Sequence, residues 1–231
     1  MKIFKLTLLT LGMSLASFAQ ADMIGVKGDL SYWNYDGKAN MAAQTTANDQ
    51  DLDHKGSAQV SLAFEHPIPL IPNAKIRYVN LKTQTNNEVA GQPIYDINLD
   101  HADFLLYYEI LDNIVSADVG FGASTLNGHV TTLAAQKTDI NKTIPVVYGS
   151  AGVKLPFTGL SAKTELLYSN INDTQITDAQ AELQYNFIDN ILVDVGLKAG
   201  YRILDIKLDN YEKNDLKFNF KGPYIGLDIH F

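Results

Sequence analysis

Gly222-Pro-Tyr-Ile-Gly-Leu-Asp-Ile-His-Phe231 ends the chain. Ile225, Leu227, Ile229 and Phe231 alternate there with Tyr224, Gly226, Asp228 and His230. A period of two places successive side chains on opposite faces, so the segment reads as a strand with one apolar face.

The same alternation recurs upstream. Strands are expected over 24–36, about 56–65, 74–85, 94–110, 115–124, 145–155, 162–169, 178–187 and 193–202. The eighth gives the cleanest pattern, Ala179, Ala181, Leu183, Tyr185 and Phe187 against Asp178, Gln180, Glu182, Gln184 and Asn186. The third is the least regular, and losing it would leave eight strands rather than ten. The fourth changes phase near His101: Tyr95, Ile97 and Leu99 are apolar at odd positions, Ala102, Phe104, Leu106 and Tyr108 at even ones. A bulge would cause that switch, as would a strand leaving a bilayer into water.

Connections alternate in kind. Residues 66–73, 111–113, 156–159 and 188–190 are short turns, the first stiffened by three prolines that cannot donate to a ladder. Residues 37–54, 86–93, 129–139, 173–176 and 209–214 are mostly longer or more polar, and 37–54 reads as a long mobile loop. Two hairpins repeat, Tyr108-Glu-Ile-Leu-Asp-Asn-Ile and Tyr185-Asn-Phe-Ile-Asp-Asn-Ile, each followed by Asp-Val-Gly, at Asp118 and Asp194.

Residues 1–21 stand apart. Lys2 and Lys5 precede an apolar run from Leu6 to Phe18 and an Ala19-Gln20-Ala21 cleavage site, the layout of a signal peptide. The run is shorter than the roughly 20 apolar residues of a membrane anchor. One domain, 22–231, is expected to remain. It contains no cysteine, which rules out disulfide scaffolds and thiolate chemistry in an exported chain. The whole sequence has 18 basic and 26 acidic residues, and two of the basic ones lie in the leader; nucleic acid is not an expected partner.

The fold class expected is all-β: a transmembrane antiparallel up-and-down barrel of about ten strands, apolar face outward. A soluble barrel, with its apolar face inward, is the rival. Gly, Gln, Asp, Glu, Lys and Arg mix on the polar face of the eighth and ninth strands, as in a crowded, charge-paired lumen. The lumen set is Lys27, Asp29, Glu65, Asp118, Lys154, Lys163, Glu165, Glu182, Asp194, Lys198 and Arg202, joined by Lys75, Arg77, Asp103, Glu109 and Asp178. Across the 188–190 turn, Glu182 should lie diagonal to Lys198 and Gln184 opposite Asp194.

The carboxyl-terminal strand, with Tyr224, Gly226, Ile229 and Phe231, resembles the assembly signal of Gram-negative outer-membrane barrels. Together with Ala63-Phe-Glu-His-Pro-Ile-Pro-Leu-Ile-Pro-Asn73, it makes the mature chain similar to the poorly characterised family of small Gram-negative outer-membrane β-barrel proteins. The resemblance implies location in the cell outer membrane, insertion by the barrel-assembly machinery, and outer-membrane lipid and lipopolysaccharide as surroundings. It implies no reaction. The expected role is envelope-structural, or limited porin-like passage of small solutes through a charged lumen that is plugged or open. A monomer without cofactor or metal is expected.

The alternative is a hydrolase at the outer rim. Asp49, Asp51, Asp53 and His54 in the first loop, and Asp100, His101 and Asp103 on the fourth strand, supply the His and carboxylates that activate water. The bland reading is a solvated acidic loop. His129 near Ser124 and His54 near Ser57 lack any flanking nucleophile motif. Asp49-Gln-Asp-Leu-Asp53 has the spacing of a hard-cation loop without its turn glycine and distal glutamate.

Overall fold

The computed structural model describes residues 25–42, 49–190, 193–212 and 214–231. The leader assigned to 1–21 lies outside the described residues, as do Ile24 and residues 43–48 of the first connection. Twelve strands follow in order: β1 Gly25–Ala42, β2 Gln50–Glu65, β3 Asn73–Gln84, β4 Glu88–Val89, β5 Gln92–Pro93, β6 Tyr95–Asp112, β7 Val115–Thr132, β8 Lys137–Leu155, β9 Leu160–Ile171, β10 Thr174–Asp189, β11 Asp194–Tyr211 and β12 Asn214–His230. Ten of them form a closed antiparallel barrel in the order β1-β12-β11-β10-β9-β8-β7-β6-β3-β2, while β4 and β5 pair as a separate small hairpin. The irregular third strand is present, which settles ten against eight.

Closure is made by the first and last strands, β1 and β12. β1 and β12 pair from Lys27↔His230 to Ala42↔Asp215. Beyond the ladder, Val26 N–H donates to the Phe231 carbonyl at 3.1 Å and Phe231 N–H to the Val26 carbonyl at 3.0 Å. A closed sheet leaves no strand edge, the condition for backbone to cross lipid.

One level of the outer wall is an apolar belt. Leu30 and Tyr32 on β1, Val60, Leu62 and Phe64 on β2, Phe104 on β6, Val119 and Phe121 on β7, Leu183, Tyr185 and Phe187 on β10, and Ile225 and Leu227 on β12 all point outward and are exposed. Belt segments such as 115–123 on β7 match the roughly 9–11 residues with which a tilted strand crosses a bilayer. Gly25 and Phe231, the first and last described residues, lie at one end of this belt, here the near end.

Beyond the belt the strands continue, and the polarity of the wall inverts. The outward positions become Asn34, Asp36 and Lys38 on β1, Asp139, Asn141 and Thr143 on β8, and Lys217, Asn219 and Lys221 on β12. The inward ones become Trp33 and Tyr35, Leu81, Ile97 and Leu99, Leu126, Ile140, Leu204 and Ile206, and Phe218 and Phe220, all buried. This far half is built like a soluble barrel, with its core inside.

The inversion explains the phase change on β6. Odd residues face inward along the whole segment from Tyr95 to Tyr107, with no bulge at His101. What changes at that point is the medium outside, from water around Asp96, Asn98 and Asp100 to lipid around Phe104.

It also corrects the first connection. Residues 37–54 were expected to form a loop, but β1 runs to Ala42 and β2 starts at Gln50. Their polar residues are the wetted face of strands whose other face carries Ala39 and Leu52, 2% and 4% exposed. Long polar connections elsewhere shrink in the same way; β9 and β10 meet at Asn172-Asp173, with φ of 50° and 58°, a two-residue turn in the left-handed region.

Candidate functional site

The barrel interior holds the side chains that carry chemistry, in three levels. Uppermost is the apolar core of the far half. Trp33 and Tyr35 pack at 5.0 Å between ring centroids, Tyr35 meets Phe220 edge-on at 5.7 Å, and Trp33 Nε1 donates to the Gly222 carbonyl at 3.1 Å.

Beneath it lies an ion layer. Arg202 on β11 donates through Nε to Asp178 Oδ1 at 2.9 Å and through a terminal nitrogen to Oδ2 at 2.7 Å. Its guanidinium sits 4.7 Å from the Trp33 ring and also donates to Gln59. Arg77 on β3 donates to Asp103 Oδ2 at 3.0 and 2.9 Å and to Asp178 Oδ2 at 2.5 Å. In the ring order, β3 and β10 stand on opposite sides of the barrel. The Arg77–Asp178 bond therefore crosses the full lumen. His101 Nε2 lies 2.8 Å from Ser124 Oγ, which donates to Asp103 Oδ1 at 2.7 Å. These groups are almost entirely buried, so each charge depends on its partner rather than on water.

The third level is a polar vestibule of about 680 Å³, opening at the near end between the Pro156–Gly159 turn, Asp194 and His230. Lys75 donates to both oxygens of Glu165, at 2.6 and 2.9 Å, and Lys163 reaches Oε1 at 2.9 Å. Lys198 bridges Asp29 and Glu182, the latter at 3.1 Å, and Tyr224 donates to Glu182 at 2.7 Å. Lys27 pairs with Glu65 at 2.6 Å, and Tyr107 donates to the same carboxylate at 2.7 Å. Asp118 accepts from Ser150 at 2.5 Å. Lys154 lines the mouth, exposed. The sixteen lumen residues named from the sequence thus fall into two groups: Arg77, Asp103, Asp178 and Arg202 in the ion layer, the other twelve around the vestibule.

Glu182 pairs with Gly200 and so lies diagonal to Lys198. Gln184 does not face Asp194. It pairs with Lys198, while Asp194 pairs with Asp189, because β10 runs on to Asp189 instead of turning at 188–190; a bulge between Asn186 and Ile188 shifts the register by one residue. In the terminal strand, Tyr224 turns inward to Glu182, whereas Phe231 is exposed at the near rim.

The residues of the rim-hydrolase alternative do not gather. His54 lies on the outer wall, 3.5 Å from Asp36, and Asp51 is near Lys38 at 3.8 Å. Asp100 also faces outward, accepting from Tyr78 at 2.6 Å, while His101 and Asp103 are sealed inside. His129 is outward on β7 and Ser124 inward, so that pair is divided by the wall. Asn40 donates to Asp49 at 3.0 Å, and Asp53 lies 3.8 Å from Lys55, so the acidic run is engaged by its neighbours.

Sequence reasoning missed the His101–Ser124–Asp103 contact. Its members meet only through the Asp103↔Ser124 register of β6 and β7. The geometry is not that of an activated serine, because Ser124 already donates to Asp103 while its oxygen faces His101. His101, Asp103 and Asp178 also present ligand atoms within 4.8 Å of one another, a metal-like set. The fit is poor: Arg77 and Arg202 already neutralise both carboxylates, and an ion would have to displace a guanidinium.

No family model and no curated protein matches the chain. Among solved structures, it is similar to the outer-membrane protease OmpT of Escherichia coli, at 9% identity and a TM-score of 0.45, covering 92% of this chain and 99% of that one. It is similar too to the translocator domain of the autotransporter NalP of Neisseria meningitidis, at 9% identity and 0.44, covering 96% and 94%. Neisserial surface protein A gives 13% and 0.41, with 91% and 97% covered. These are outer-membrane β-barrels of differing activity, and at such scores nothing about function carries across.

Proposed function

We propose that this chain is a monomeric outer-membrane barrel with an envelope-structural role, closed to solutes and without hydrolytic activity. The near end faces the periplasm and the far half stands outside the cell, among lipopolysaccharide. The observation that carries the reading is the Arg77–Asp178 bond across the lumen, backed by the apolar core above it. A hydrated solute would have to break that ion layer and then cross side chains packed as tightly as a protein interior. Limited porin-like passage is the reading this argument disfavours, since a ten-strand barrel is narrow enough for side chains to fill.

Planar-bilayer recording of the refolded full chain tests it. Silence at moderate voltage is expected, with the same preparation shown to be folded by its heat-modifiable mobility on gels. Reproducible unit conductance steps would overturn the closed lumen and restore the porin-like reading.

A further inference from the structure

The vestibule has a surplus of negative charge, nine carboxylates against six lysines and arginines. Its lysines are already engaged: buried Lys75 with Glu165, buried Lys198 with Asp29 and Glu182, and the partly exposed Lys27 and Lys163, which also lie toward Glu109 and Asp118, with Glu65 and Glu165. Glu109 on β6 and Asp118 on β7 are direct cross-strand partners, both lining the cavity. Among the described residues neither is ion-paired; Asp118 accepts from Ser150 and Glu109 has no hydrogen bond. Two like charges placed opposite each other cost stability unless a cation joins them.

A separate feature points to the same kind of guest. Gln180 on β10 lines the same cavity and is 7% exposed. Its amide nitrogen donates to Glu165 at 3.0 Å, while its Oε1 has no partner. A buried carbonyl oxygen without a donor is unfavourable, and a ligand's N–H would relieve it. The acceptors are spread across the cavity, from β6 and β7 to β10. They therefore suit an extended molecule with several N–H donors better than one compact ion. The volume lies within the usual range for small-molecule sites.

We propose that the vestibule binds a small organic polyamine that enters from the near end, its ammonium groups between Glu109 and Asp118 and an N–H on Gln180 Oε1. The blind shape of the site rests on the closed-lumen reading, but its binding is measured separately from conductance. Titration of the refolded full chain in micelles with spermidine, followed by calorimetry at low salt, should saturate at one ligand per barrel. The Glu109→Gln/Asp118→Asn double variant, still heat-modifiable, should weaken binding by about tenfold or more, in line with losing a charge-assisted contact. Gln180→Leu, which leaves the net charge unchanged, should weaken it by about threefold, as for one lost neutral hydrogen bond. Spermidine binding that does not saturate, that is unchanged in both variants, or that Mg²⁺ abolishes at equal concentration would overturn the proposal. Saturable binding by a barrel that also conducts would instead overturn the closure and leave the site standing.

Discussion

Lys198 shows how a single residue in this lumen holds its neighbours. Its ammonium lies between Asp29 and Glu182 and 5.8 Å from the Tyr224 ring centroid, and all three ionic side chains are under 10% exposed. Lys198→Ala would leave two carboxylates facing each other with one tyrosine hydroxyl between them. The expected loss is about 3 kcal/mol, the scale for stripping a partner from a buried pair. Adding Glu182→Gln should recover only ~1 kcal/mol, because Asp29 is still uncompensated. Urea unfolding of the refolded proteins in lipid vesicles measures both. A loss within the noise would mean that water replaces the lysine and the vestibule wall is hydrated throughout. That Lys198 points inward is legible in the sequence, since Leu197, Ala199 and Tyr201 alternate with it. Its partnership with Asp29 is not, because β1 and β11 are separated by β12 in a ring that only closure creates. The same holds for Arg77 and Asp178, 101 residues apart and opposite each other in space.

At the scale of the strand, the far half contains two seams where the ladder is incomplete and a tyrosine stands in. β2 and β3 pair from Phe64↔Ala74 to Gln59↔Val79 and meet again only at the bridge Leu52↔Thr85. In that interval Tyr35 Oη accepts from Lys82 N–H at 3.0 Å and donates to the Lys82 carbonyl at 3.2 Å, satisfying both main-chain groups that β2 leaves open. The β8–β9 ladder stops at Val147↔Tyr168, beside Pro145, which has no N–H to give. There Tyr211 Oη accepts from Asn141 N–H at 3.1 Å, with Lys142 Nζ 5.8 Å from its ring centroid. Tyr35→Phe keeps the packing against Trp33 and Phe220 but strands a buried donor and acceptor. It should cost about 1–3 kcal/mol. Hydrogen exchange should quicken at Lys82 and its strand neighbours before anywhere in the belt. Exchange unchanged at Lys82 would show that the seam is held by other means. Neither seam is written in the alternation, since a tyrosine on an inward position reads as core whether or not its hydroxyl has work to do.

For the whole molecule, the decisive property is the reversal of polarity along one axis. Alternation reports which residues share a face and does not report which face is inside. In β10 the charges fix the answer, because Asp178, Gln180 and Glu182 cannot face lipid. In the far half the same rule, applied with lipid still outside, turns strand into loop at 37–54. At His101 a strand leaving the bilayer into water is one of the two causes a phase change allows, and it is the one the unbroken register of β6 supports. The physical cause is that only the outer medium switches, between Phe104 and Asp100 on β6 and between Ile203 and Asp205 on β11, while the backbone continues unchanged. A half with a wetted outer wall must protrude from the membrane, and the start of β1 and Phe231 lie at the opposite end. The tip of the protruding half includes the β4–β5 hairpin, whose Ala90 and Gly91 take φ of 54° and 76° and are exposed on a turn that crosses no ladder. An epitope tag inserted after Gly91 should therefore leave the barrel heat-modifiable and be bound by antibody on intact cells. Labelling that appears only after the outer membrane is permeabilised would reverse the orientation and put the far half in the periplasm. The vestibule would then open to the outside, and any ligand it holds would come from the medium.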